Sequence, residues 1–249
     1  HIEELLARIK QTGWFEDISM TTNGSLLAPR AEKLKELGLN RVNISLDSLD
    51  SDAFALCVGK ADQLDSVLSG IQSAIDAGFT SVKINTVLSR HWTDDEVRAL
   101  LTYVETWPVI WRFIEYMPFQ GDAFHGPTFD EWKAQLERVS GGILTENHDV
   151  YGFGPATYYN LPSGKEIGFI FSMSHSYCDT CNRVRLTSDG QMRLCLLRDD
   201  EADLVSLVRN GASEEALAKH IERALQRKQE RHDGIGMEQP ERPMWRIGG

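Results

Sequence analysis

Residues 63–88, QLDSVLSGIQSAIDAGFTSVKINTVL, read as a helix over 63–77, closed by Gly78, that leads directly into a strand over Val82–Leu88. The same order recurs on both sides. Upstream, a helix over 30–37 leads to a strand over Val42–Asp47. Before that, Ile2, Leu5, Leu6 and Ile9 fall at helical spacing and precede Ile18–Thr22, a strand ending at the turn signal Asn23-Gly24. Downstream, Thr93 with Glu96 forms a capping box ahead of Val97, Leu100, Leu101 and Val104, and that helix leads to Ile110–Met117. Four helix-then-strand repeats imply parallel units with right-handed crossovers, hence an α/β sheet or barrel.

The pattern changes after a second capping box, Thr128 with Glu131, which opens a helix over 129–138. Residues 140–164 are rich in Gly, Pro, Tyr and Asn and read as an interdomain connection, which predicts one domain over 1–140 and another over 141–249. Glu166–Met173 reads as a strand, and Arg183–Leu196 as a hairpin with a two-residue loop at Asp189-Gly190. Helices near 201–209 and 213–231 and an extended tail over Pro243–Gly249 complete the chain.

Parallel strands covered on both sides are apolar nearly throughout. Here Asn43, Ser45 and Asp47 share one strand face, and Lys83 and Asn85 share one face of the next, while Val42, Ile44, Leu46, Val82, Ile84 and Leu88 take the opposite faces. A buried lysine needs a partner or solvent. The polar faces therefore either line an interior cavity or mark strand ends meeting water.

Composition limits the partners. The 249 residues carry 26 Lys and Arg against 37 Asp and Glu, a net charge of −11, which opposes a bulk electrostatic grip on nucleic acid or on a membrane surface. No apolar run approaches the roughly 18 residues that span a bilayer, so a cytoplasmic protein, or one of the mitochondrial matrix, is expected. Three of the four cysteines, Cys178, Cys181 and Cys195, lie within 18 residues of one another; Cys57 stands apart between helical segments. So few cysteines in so long a chain do not make a disulfide framework and point instead to metal or redox chemistry.

Cys178-Asp-Thr-Cys181, with Cys195 after thirteen residues, fits three chemistries. A structural zinc ion wants a fourth ligand, which His175 offers. A redox pair belongs at a helix start, whereas strand-like sequence follows here. Three cysteines also hold an iron–sulfur cluster with one iron left open. In the two-residue-loop register Cys195 falls opposite Val184, so the strand must bulge to bring the thiols together. Arg183 and Arg185 alternate onto one side beside the cysteines. Two guanidiniums on one face repel unless an anion sits between them, and Arg matches phosphate oxygens in pairs. No phosphate loop competes: Gly164-Lys165 lacks the upstream Gly and the following Ser or Thr.

Taken in order, Thr21-Thr-Asn-Gly24, Val42-Asn-Ile-Ser-Leu-Asp47, Val82-Lys-Ile-Asn-Thr-Val-Leu88, Arg112-Phe-Ile-Glu-Tyr-Met117, Cys178-x-x-Cys-Asn-Arg-Val-Arg185 and Gly248-Gly249 resemble the GTP 3′,8-cyclase family of molybdenum cofactor biosynthesis, radical S-adenosylmethionine lyases. The resemblance runs from about residue 18 to the end. It implies a partial (β/α)6 barrel, like a TIM barrel with its first strands missing, and a small C-terminal α+β domain that carries a [4Fe-4S] cluster. Carried over by position, Cys178, Cys181 and Cys195 are the ligands of this second, GTP-side cluster. Thr21, Lys83, Arg112, Arg183, Val184 and Arg185 are GTP contacts, and Ser45 and Met117 hold S-adenosylmethionine. A homodimer and cyclic pyranopterin monophosphate synthase, the next enzyme of the pathway, are the implied partners.

One departure stands out. The family's first cluster is held by Cys-x3-Cys-x2-Cys after the first barrel strand, and no such motif occurs among these residues. The expectation is an N-terminally truncated chain that binds GTP without generating a radical.

Overall fold

A computed structural model describes residues 1–59, 63–117, 126–149, 154–196 and 198–228. They divide into two compact units, one built from His1–Tyr116 and Gly126–Phe171, the other from the described residues of Met117–His125 and Ser172–Gly249. The boundary expected at 140/141 falls inside the first unit.

The first unit is α/β with a mostly parallel sheet. Its strands are β1 (Ser19–Thr22), β2 (Arg41–Ser45), β3 (Ser81–Val87), β4 (Ile110–Ile114), β5 (Thr145–Asn147), β6 (Thr157–Asn160) and β7 (Glu166–Ile170), in the order β1-β2-β3-β4-β7-β6-β5. Strands β1 to β4 and β7 run parallel, while β6 and β5 pair antiparallel at the far edge. The alternation read from the sequence holds: α1 (Ile2–Thr12), α2 (Ala31–Glu36), α4 (Leu64–Asp76) and α5 (Asp94–Thr106) each precede a parallel strand, and α3 (Ser51–Val58) adds a turn of packing after β2. Cys57 lies within α3, exposed, rather than between helices. Both capping boxes form, Thr93 with Glu96 opening α5 and Thr128 with Glu131 opening α6 (Phe129–Ser140), so each satisfies amide groups that the first helical turn leaves unpaired.

The residues expected to face helices do so. Val42, Ile44, Leu46, Val82, Ile84 and Leu88 are buried in one core with Val67, Ile71 and Ala74 of α4, Val97, Leu100 and Val104 of α5, and Trp132 and Leu136 of α6. The stretch read as a connection contributes two strands to the sheet. Residues 145–147 and 157–160 pair as β5 and β6, with Tyr158 and Leu161 buried. Strands of three and four residues show no periodicity to read, and it is the pairing of β6 with β7 and of β5 with β6 that makes them strands.

The second unit holds β8 (Arg185–Leu186), β9 (Gln191–Arg193) and β10 (Glu201–Asp203) as an antiparallel sheet in the order β10-β9-β8, with α7 (Val205–Arg209) and α8 (Glu214–Gln226). Residues 201–209 thus form a strand and a short helix rather than one helix. A small core joins Met192, Leu194, Ala202 and Ala224. The hairpin forms, but its loop has three residues: Leu186 pairs with Met192, and Thr187 brackets the turn by bonding Gln191 and Gly190. Gly190 takes φ +81°, the left-handed glycine of a three-residue loop. Relative to the expected loop the pairing slips by one residue, which brings Cys195 level with Arg183 rather than Val184. The helix expected over 213–231 ends at Gln226, capped at Arg227, and the Pro243–Gly249 tail with Gly248-Gly249 lies outside the described residues. Among the described residues no helix is long and apolar enough to cross a membrane.

Candidate functional site

Strand register gathers the polar residues of the first unit onto one face. Thr21, Asn43 and Lys83 stand side by side across β1, β2 and β3. Ser45, Asn85, Arg112, Gly168 and Tyr158 form the adjacent row across β2, β3, β4, β7 and β6. Paired residues project to the same side of a sheet, so the two rows make one surface. Arg112 donates to Asn85 Oδ1 at 2.9 Å and to Asn43 Oδ1 at 2.9 Å, and its guanidinium acts electrostatically on the Tyr158 hydroxyl. Asn43 reaches Thr21 Oγ1 at 3.4 Å. Lys83 donates from Nζ to the Tyr158 hydroxyl at 3.2 Å.

Lys83 is 1 % exposed and Arg112 7 %. Burial, followed by the nearby cations Arg112 and Arg41, brings the Lys83 ammonium down from its usual 10.5 to about 8, although Asp17 and Glu166 pull it upward. Burial likewise pushes the Arg112 guanidinium down and the Tyr158 phenol up. Two buried cations on one strand face form a surface that favours an anion. Of the two readings of the polar strand face, strand ends meeting solvent is excluded for Lys83.

The second unit has a recess of its own. Met117, Tyr177, Cys178, Cys181, Arg183, Arg185 and Cys195 are among its lining residues, and its free space, mouth included, is about 460 Å³. Cys178 opens a single 3-10 turn over Cys178–Thr180, and the backbone N–H of Cys181 closes that turn on the Cys178 carbonyl. The hairpin returns Cys195 to the same wall. Arg183 lies over the Tyr177 ring, 4.7 Å from its centroid, and its Nη2 is 3.7 Å from Cys181 Sγ. Lys228 Nζ is also 3.7 Å from Cys181 Sγ and donates to the Arg183 carbonyl. Burial works to raise the Cys181 thiol, but the Arg183 N–H, the Arg183 guanidinium and Lys228 outweigh it and bring the pKa below the ordinary value. A lowered pKa favours the thiolate, the form that binds metals. Burial and the like charge of Arg183 push the Arg185 guanidinium down.

The family model for Molybdenum Cofactor Synthesis C matches residues 109–234, and that for the Radical SAM superfamily matches residues 1–104. A GTP 3′,8-cyclase of Pelotomaculum thermopropionicum is 38 % identical over 252 residues, covering 100 % of this chain and 77 % of the relative. The chain belongs to the GTP 3′,8-cyclase family. Further GTP 3′,8-cyclases, from Moorella thermoacetica and Trichodesmium erythraeum, are 41 % identical over 94 % of this chain and 42 % identical over 89 %, covering 73 % and 68 % of their own lengths.

The radical SAM family implies a metal cluster, and the donors present fit one. Among the described residues no three His, Cys, Asp or Glu side chains close around a point as a single ion requires. A cluster spreads its thiolates over several irons, and the three cysteines line one recess. His175, the fourth ligand that zinc would need, is exposed and is not among the residues lining the recess.

Of the residues singled out in the sequence, Cys178, Cys181, Cys195, Arg183, Arg185 and Met117 meet at this recess, and Thr21, Ser45, Lys83 and Arg112 share the polar sheet face. Val184 is exposed and not among the lining residues. Sequence reasoning missed Tyr158 and Lys228. Tyr158 sat in a stretch read as a connection, and Lys228 near the end of the helix read over 213–231, away from the cysteines in sequence. A glycine, Gly168, inside an apolar strand was the available signal for the first.

Proposed function

We propose that this protein acts as a GTP 3′,8-cyclase, converting GTP to (8S)-3′,8-cyclo-7,8-dihydroguanosine 5′-triphosphate in molybdenum cofactor biosynthesis, in the lyase class. The observation that carries the reading is the Arg183/Arg185 pair on the same recess as the three cysteines. Cys178, Cys181 and Cys195 are the residues to hold a [4Fe-4S] cluster there. When bound, that cluster supplies an open iron for the guanine base; the radical chemistry belongs to the family's first cluster and S-adenosylmethionine, and these residues, which lack the first cluster's motif, supply the GTP-binding half.

The chain's own residues bind and orient. The triphosphate relieves the repulsion between Arg183 and Arg185 and takes two-pronged hydrogen bonds from them. Tyr177 holds the Arg183 guanidinium flat against its ring, which fixes the direction of those bonds. Thr21, Lys83 and Arg112 are assigned to GTP, and Ser45 and Met117 to S-adenosylmethionine, by their match to the family's motifs. On this reading the first unit is an incomplete (β/α)6 barrel and the second the cluster-bearing domain. The enzyme works in the cytoplasm or mitochondrial matrix, as a homodimer, and its product passes to cyclic pyranopterin monophosphate synthase.

Anaerobic reconstitution with iron and sulfide, followed by metal analysis and calorimetric titration with GTP, tests this. The expected result is a brown protein that loses about four irons on replacement of the three cysteines and binds GTP only when the cluster is present. A colourless protein holding one zinc and no labile sulfide overturns it.

A further inference from the structure

The Tyr158 hydroxyl accepts from Lys83 Nζ at 3.2 Å, and the Arg112 guanidinium acts on the same hydroxyl electrostatically. The two charges stand on adjacent strands and oppose each other, so something must fix their separation. Tyr158 lies two strands beyond Arg112, across β7, and reaches both only because the residue between them is Gly168. A Cβ at Gly168 would meet Arg112 Cγ at 2.9 Å and Tyr158 Cε1 at 3.0 Å, closer than such contacts normally come. The space that a side chain would fill is taken by the arginine stem and the tyrosine ring. Tyr158 is 6 % exposed, and its ring also lies against Lys83, with Nζ 5.6 Å from the centroid.

We propose that Tyr158, admitted by the missing side chain of Gly168, is the positioning residue that sets the Lys83 and Arg112 charges at one spacing for the polyphosphate of the nucleotide. The inference rests on the assignment of Lys83 and Arg112 to GTP and adds the device that orders them. Without the hydroxyl, Lys83 loses an acceptor and the two charges lose the polar group held between them. The Lys83 ammonium then gives up its proton at lower pH. Its other charged neighbours, Arg41, Asp17 and Glu166, together with the Arg112 guanidinium, are the same in both proteins.

The test compares Tyr158→Phe, Gly168→Ala and Lys83→Met in the reconstituted full chain, with GTP and inorganic triphosphate as probes from pH 6.5 to 9.5. A hydrogen bond to a charged group changes affinity roughly tenfold or more. Tyr158→Phe is expected to weaken both probes by about that factor and to move the alkaline midpoint of binding downward. A purely structural ring contact would not shift this midpoint. Gly168→Ala is expected to weaken binding similarly with Tyr158 intact. Wild-type affinity with an unmoved midpoint in Tyr158→Phe overturns the positioning role, even if Lys83→Met abolishes binding. Full GTP affinity in Lys83→Met instead defeats the assignment of this face to GTP.

Discussion

Replacing Lys83 by Met should make the protein more stable at neutral pH while removing a binding group. Lys83 is 1 % exposed, and the fall of its pKa from 10.5 to about 8 says that the fold disfavours the charged form. At about 1.4 kcal/mol per pH unit the penalty is at most about 3.5 kcal/mol. Removing the ammonium deprives the Tyr158 hydroxyl of a donor, which costs about 1 kcal/mol, so the net gain is about 2 to 2.5 kcal/mol. The sign follows from proton linkage. Because the folded-state pKa lies below the unfolded one, the penalty is complete below pH 8, shrinks as pH rises, and is gone above about 10.5. Urea denaturation of both proteins at pH 7, 8.5 and 10.5, followed by tryptophan fluorescence, reads this out, since Trp92, Trp107, Trp111 and Trp132 all belong to the first unit. The expected advantage of Lys83→Met is about 2 to 2.5 kcal/mol at pH 7 and is lost by pH 10.5. A variant less stable than the parent at pH 7, by an amount independent of pH, would refute the reasoning and make Lys83 an ordinary packing residue.

Three other outcomes are expected. Changing Arg183 and Arg185 together to Gln should weaken GTP binding about a hundredfold or more and leave the iron content in place; retained affinity would remove the phosphate assignment. Cys57→Ser should not alter iron content, because Cys57 sits exposed on α3 in the first unit, and a drop would show it to be a ligand. Gly190→Ala forces an alanine into φ +81° and puts a Cβ 2.4 Å from Val205 Cβ, so the hairpin should lose about 2 kcal/mol. Faster amide exchange in β8 and β9 and quicker iron loss are the readouts; exchange at the parent rate would contradict the strained-turn account.

The sequence by itself determined the elements whose signals are local. Helix-then-strand order, both capping boxes and the apolar faces of β2 and β3 follow from periods and caps carried within a few residues. The Cys-x-x-Cys spacing with its two arginines was legible for the same reason, since one short turn and one alternating strand place all four groups. Parity even separated the polar face of Asn43, Ser45, Lys83 and Asn85 from the apolar one. What that face does was decided only by tertiary structure, because register between strands is a long-range property. It took the pairing of β4 with β7, and of β7 with β6, to set Tyr158 beside Arg112 across Gly168. The hairpin register was likewise beyond the sequence. A Gly after Asp suits a two- or a three-residue loop, and the contacts of Thr187 with Gln191 and Gly190 chose the longer one. Lys228 stands 47 residues beyond the thiol it approaches, and no local pattern distinguishes such a lysine from a solvated one.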